Sequence, residues 1–145
     1  IMKQKFSASW TGSKQPRKQR KYRANAPLHL RRKMISVSLN KELKKKHDKR
    51  NFPVRKGDNV RIMRGEFKGK SGKIESVDMK KMKVIIDGIY RTKKDGSKVA
   101  VMFEPSNLQI KELELEDKKR KESLERKASV KKIKTENNKE TKKNA

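Results

Sequence analysis

The chain contains no cysteine. Disulfides and thiolate-based zinc sites are excluded, and an intracellular location is permitted. Histidine occurs only as His29 and His47, which stand far apart without thiolate company and do not make a metal site. No metal or other cofactor is expected. Apolar residues are scarce, at 30% of 145, and aromatic residues scarcer at 5%. Such a supply feeds one small core, and much of the chain cannot pack independently. No apolar run approaches the ~20 residues of a membrane span. No signal-peptide core follows the basic start, where Met2, after Ile1, is the expected initiator. Acidic residues are short too: 17 Asp and Glu stand against 44 Lys and Arg, a net charge of +27. That charge repels itself in a compact state and calls for a polyanion, with nucleic acid a better fit than a membrane surface.

What is present centres on residues 54–89. Asn59 to Met63 alternates polar and apolar residues, with Val60 and Ile62 on one face, the period of a half-buried strand. Glycines at 57, 65, 69 and 72 mark turns around it, and Lys68, Lys70 and Lys73 stud the connection. Further strands are predicted at Lys73–Val77 and Met82–Ile86, with a bulge near Glu75–Ser76 where Ile74 and Val77 break parity. Asp95-Gly96 reads as a hairpin turn between Tyr90–Thr92 and Lys98-Val99, and Val99, Val101 and Phe103 alternate. Pro105-Ser106-Asn107 fits a one-turn helix before a last short strand. The predicted core comprises Val54, Val60, Ile62, Ile74, Val77, Met82, Val84, Ile86, Val99, Val101, Phe103, Leu108 and Ile110. The fold class is therefore mostly β, a small closed barrel.

The arm before it is basic. Pro16 suits a first helical turn. Arg17, Lys18, Arg20, Lys21 and Arg23 go all round the helix that follows, so only phosphates are expected to order it. Two roles stand open for Phe6 and Trp10, anchoring the arm to the domain, which is preferred, and stacking on an RNA base. A second helical stretch from Pro27 ends in Arg31-Arg32-Lys33. Ile35, Val37 and Leu39 alternate as a strand able to join the barrel edge. Asn40 is a candidate N-cap for a short helix loaded with Lys44, Lys45 and Lys46. After the barrel, Leu113, Leu115 and Leu124 give a thin apolar stripe, and from Ala128 the lysine-rich chain lacks core formers and is expected to be disordered.

The run Arg55-Lys56-Gly57-Asp58-x-Val60, then Gly65-x-x-Lys68-Gly69-x-x-Gly72-x-Ile74, closely resembles the KOW motif of ribosomal and transcription-elongation proteins. Pro16-Arg17-Lys18-Gln19-Arg20-Lys21, Ala26-Pro27-Leu28-His29 and Leu39-Asn40-Lys41-Glu42-Leu43 resemble the N-terminal extension of one family. That family is the KOW-bearing large-subunit ribosomal protein numbered twenty-four in bacteria and archaea and twenty-six in eukaryotes, in its archaeal and eukaryotic branch. The resemblance runs from about Lys14 to about Ile110. It implies an SH3-like barrel and a structural role in the cytoplasmic ribosome. It further implies binding of the 5′ domain of large-subunit rRNA early in assembly, near the nascent-chain exit. Partners would be that RNA, neighbouring ribosomal proteins and nascent-chain or targeting factors, with the protein a monomer within the ribosome. The alternative is a KOW transcription-elongation factor acting on RNA polymerase, although such factors usually pair the barrel with a further domain.

The expected organisation is a basic extension over residues 1–52, the KOW barrel over 53–110, a charged helix over 111–127 and a tail over 128–145. The barrel segment is expected to fold alone. Expected RNA contacts are the arm cations named above, Lys46 apart, together with Arg55, Lys56, Arg61, Arg64, Lys68, Lys70 and Lys73. Gly65-x-x-x-Gly69-Lys70-Ser71 is not a P-loop, which needs four residues between its glycines and a long helix after them. Asp58, Asp78, Asp87 and Asp95 are scattered over turns without a nucleophile or base, so no catalytic residue is expected. Asp58 is expected to bond local backbone NH groups.

Overall fold

The computed structural model describes residues 6–126. The expected disorder of 128–145 and the reading of Met2 lie outside those residues. Seven strands form one mixed sheet: β1 (Ser36–Leu39), β2 (Asn51–Pro53), β3 (Asn59–Ile62), β4 (Ser71–Asp78), β5 (Lys83–Thr92), β6 (Lys98–Phe103) and β7 (Leu108–Glu112). Their order is β2-β1-β7-β3-β4-β5-β6. β3 to β6 make an antiparallel meander, while β1 runs parallel to β7, with Ser38 opposite Gln109 and Leu39 opposite Ile110. This is the mostly β, SH3-like arrangement expected, with three short helices on the arm: α1 (Pro16–Asn25), α2 (Leu28–Met34) and α3 (Lys41–His47). Residues 118–126 add a fourth helix, α4.

Local sequence explains most of these elements. Pro16 sits at the first position of α1 and Pro27 caps α2. The Asn40 side chain accepts from the Lys41 NH at 2.7 Å, the expected N-cap of α3. The β4–β5 register shifts between Ile74 and Ser76, where parity predicted a bulge. The 95–96 turn closes the β5–β6 hairpin, in which Thr92 faces Lys98. The separate strands predicted at Met82–Ile86 and Tyr90–Thr92 are one strand, β5. Its register against β6 shifts between Ile85 and Tyr90, which moves parity and buries Ile89. Val99, a predicted core residue, keeps the parity of Phe103 but pairs with exposed Arg91 towards the hairpin end, past the core, and is 42% exposed.

The core extends well beyond residues 53–110. Ile35, Val37, Leu39 and Phe52 join Val60, Ile62, Ile74, Val84, Ile86, Leu108 and Ile110 in one buried cluster, and Leu124 of α4 is buried in it too. Burying a side chain such as Leu124 contributes about 1.5–3 kcal/mol relative to leaving it exposed. Among the described residues, β1 is the only sheet neighbour of β7 besides β3. The barrel segment therefore shares its core with β1, β2 and α4.

Candidate nucleic-acid interface

The KOW turn, residues 63–70, is pinned at its neck. The Gly69 NH donates to the Ile62 carbonyl at 2.8 Å, and the Ile62 NH donates to the Lys70 carbonyl at 2.9 Å. Phe67 anchors the turn from below, edge-on to Phe103 at 5.9 Å between ring centres. The Arg91 guanidinium holds Glu66 from β5. Gly57, Gly65 and Gly69 carry positive φ, 90° at Gly69, and at Gly65 and Gly69 a Cβ meets open space. Gly72 differs. It lies in β4 opposite Val60, with no positive φ, so it is a strand residue and not a turn residue. Its constraint is space: a Cβ would sit 2.8 Å from Ile86 Cγ2 and 2.9 Å from the Asp87 carbonyl oxygen. With the neck fixed, Lys68 and Lys70 project from the turn and Lys73 from β4, all exposed. The Lys70 ammonium lies over the Phe67 ring at 5.2 Å, which limits its sweep.

The arm is ordered by protein contacts, not by phosphates alone. Tyr22 is the one buried residue of α1 and stacks against Phe6 at 5.2 Å, a contact within the arm itself. The Arg31 guanidinium donates to the Ala26 carbonyl at 2.9 Å and to that of Ala24, tying α2 to the end of α1. Around Tyr22, α1 faces the β4–β5 turn across a cleft of about 530 Å³ lined by Arg23, Lys80, Lys81, Lys83 and Glu104 among others. Sequence reading passed over these lysines. The signal was Asp78, whose Oδ1 accepts from the Lys80 and Lys81 NH groups at 2.8 and 2.9 Å and shapes a turn that presents both side chains. Those bonds, the Lys81 one foremost, hold the Asp78 carboxyl below its usual range. Glu104 is held low by its hydrogen bond to Lys83. The cleft thus carries a positive balance built from residues some 60 positions apart in the chain.

Of the seventeen cations predicted to meet RNA, Arg31, Lys44 and Arg55 are partly covered and the other fourteen are exposed. Arg17, Lys18, Arg20, Lys21 and Arg23 share α1; Arg32 and Lys33 end α2; Lys45 is on α3. Lys56, Arg61 and Arg64 flank or lie on β3 beside the KOW turn. Arg55 pairs with Asp117, so it is partly committed within the protein.

Asp58 does bond local backbone, accepting from the Arg55 NH at 2.9 Å, but this is the smaller part of its role. It is fully buried and also accepts from the Glu114 NH at 3.0 Å and from both terminal nitrogens of Arg120, at 2.8 and 2.6 Å. Arg120, itself buried, donates further to the Glu114 carbonyl at 2.6 Å and lies over the Phe52 ring at 5.4 Å. This pairing clamps α4 onto the barrel. Nothing in local sequence links residues 62 positions apart, so it escaped prediction. Among the described residues, no cluster of His, Asp or Glu could hold a metal ion, and no helix is long and apolar enough to cross a membrane.

A family model described as the ribosomal proteins L26 of eukaryotes and their archaeal L24 counterparts matches residues 13–127. The chain belongs to this family. The large ribosomal subunit protein uL24 of Methanosphaera stadtmanae is 50% identical over 115 residues, covering 79% of this chain and 98% of that protein. The archaeal and eukaryotic branch expected from the extension is therefore correct. The match also runs past Ile110 to include α4, further than the resemblance read from the motifs. As a member of this family, the chain is a structural protein of the large ribosomal subunit and works in the cytoplasm.

Proposed function

We propose that the protein binds large-subunit rRNA through phosphate contacts and RNA shape and not through a base code. The observation that carries this is the exposure of fourteen of the seventeen predicted cations on a chain of net charge +27 that belongs to a ribosomal family. The fixed KOW turn and the arm offer two surfaces: one presented on a rigid sheet, the other on short helices fastened by Tyr22 and Arg31. The reading extends to early assembly on the 5′ domain, a position near the nascent-chain exit, and contact there with neighbouring ribosomal proteins and targeting factors. It assigns no catalysis. The elongation-factor alternative gains no support, since the ribosomal family match takes in both arm and barrel.

The test is filter binding of the full chain to an RNA fragment from the 5′ part of large-subunit rRNA across a salt series. Log affinity should fall with log salt by about 0.7–0.9 per phosphate neutralised, giving a steep slope for several contacts. A flat salt response refutes the reading. Co-sedimentation with the large subunit in high salt, where loosely held factors wash off, tests residence on the ribosome.

A further inference from the structure

A second cleft, of about 420 Å³, lies between α2, β2 and α4. Phe52 and Pro53 line its interior, and His29, Arg32, Lys33 and Lys119 are exposed around it. The volume falls within the ~300–1,000 Å³ of small-molecule sites. Two of the three local arginines are already matched, Arg55 by Asp117 and Arg120 by the buried Asp58. Arg32, Lys33 and Lys119 are not: among the described residues their side chains have no ion-pair partner. The cleft therefore combines an apolar interior with three uncompensated cations at its mouth. Residues 127–145 carry seven lysines against two glutamates, so that segment brings the wrong charge to cover it.

A flat ring attached to a phosphate meets both requirements. We propose that this cleft receives one unstacked nucleotide of the bound RNA, its base entering over Phe52 and Pro53 and its phosphate held by Arg32, Lys33 and Lys119. The inference rests on the rRNA-binding reading and adds to it a place where a base, not only backbone, is contacted. Lys49 and Arg120 lie over the buried Phe52 ring at 5.5 and 5.4 Å, so Phe52 serves as the apolar floor of the cleft and not as a stacking face. The stacking face is the His29 imidazole at the rim, since splayed RNA bases stack on histidine as on other flat side chains. The Asp58–Arg120 clamp fixes one wall, because α4 supplies Lys119, Arg120 and Ser123.

The experiment uses the full chain with the same 5′ rRNA fragment. Ultraviolet irradiation of the complex followed by mass spectrometry should find a nucleotide adduct on the peptides bearing His29 or Phe52, and Arg32→Ala/Lys119→Ala should abolish it. That double variant should also weaken RNA binding about ten-fold, in the range of one lost base stack and two lost phosphate contacts, with an unchanged melting temperature. If the wild type binds RNA with a steep salt slope but yields adducts only elsewhere, the nucleotide site is refuted while rRNA binding stands. If the wild type does not bind, both fall. Titration with adenosine monophosphate separates a free mononucleotide from an RNA residue: micromolar binding of the mononucleotide that the RNA fragment does not compete with would overturn the assignment.

Discussion

Replacing Arg120 by methionine tests the clamp between α4 and the barrel. The substitution keeps most of the side-chain volume over Phe52 but removes the guanidinium. Asp58 would retain the Arg55 and Glu114 NH groups and lose both bonds to Arg120, leaving a fully buried carboxylate with no countercharge. The Glu114 carbonyl would lose its 2.6 Å donor as well. Breaking one side of a buried pair costs about 3–5 kcal/mol, a large share of the ~5–15 kcal/mol that holds a domain of this kind together. The exposed pair Arg55–Asp117 provides the internal comparison. Its side chains are 38% and 37% exposed, so Arg55→Met should cost only about 0–1 kcal/mol. Urea unfolding of the free chain followed by tryptophan fluorescence or circular dichroism measures both. Adding Asp58→Asn to Arg120→Met should recover part of the loss by removing the buried charge. If Arg120→Met unfolds within about 1 kcal/mol of wild type, burial and bonding have been misjudged and α4 is not clamped by this contact.

Gly72→Val should destabilise by about 1–3 kcal/mol through overpacking, because a backbone carbonyl and Ile86 occupy the space; Gly69→Val, with open space but positive φ, should cost about 1–2 kcal/mol in strain. Equal stability of both variants and wild type by thermal melting would contradict that account. Lys68→Ala and Lys70→Ala should each lower the salt slope of RNA binding by about 0.7–0.9 if each lysine neutralises one phosphate, with melting temperature nearly unchanged. Residues 34–126 should fold as a fragment whereas 53–110 should not, which circular dichroism melts of the two would show. His47 is held below its usual pKa, mainly by burial and then by Lys46 and Lys49. Its unfolded form therefore takes up a proton at higher pH than its folded form, and stability should fall as pH drops from about 6.5 through the folded pKa. His47→Ala should flatten the dependence of the urea midpoint between about pH 7.5 and 5.

The meander, the bulge at Glu75–Ser76, the Asp95-Gly96 turn and the Asn40 cap were legible because each is written in neighbouring residues. The alternation of Ile35, Val37 and Leu39 also announced a strand, but not its position between β2 and β7, which depends on pairing across the length of the chain. Ile89 was misread because a register slip inside β5 reverses which side of that strand faces the core, a slip whose local sign is Gly88 with its positive φ; Val99 was misread because its part of the hairpin, opposite exposed Arg91, runs past the core. The lysines of the KOW turn were visible as a motif, whereas the cleft joining Arg23 to Lys80, Lys81 and Lys83 exists only once α1 is docked. Asp58 carried a local signal that was true and incomplete. Its charged partner, Arg120, lies in a stretch with only a thin apolar stripe, and a buried charge pair supplies what that stripe lacks.

The parallel pairing of β1 with β7 has a consequence for the timing of folding. Leu39 cannot take its place beside Ile110 until the intervening chain has been made. At about 5–20 residues per second, synthesis of those 71 residues occupies roughly 4–14 s. During that interval the arm, with most of its cations, exists without the strand that seats it. Such non-local closure is slow to begin with, since contacts distant in sequence must first meet the entropy of the loop between them. The nascent protein is therefore a loose polycation before it is a folded one, and a polyanion that reaches it early meets the arm without the sheet that aims it.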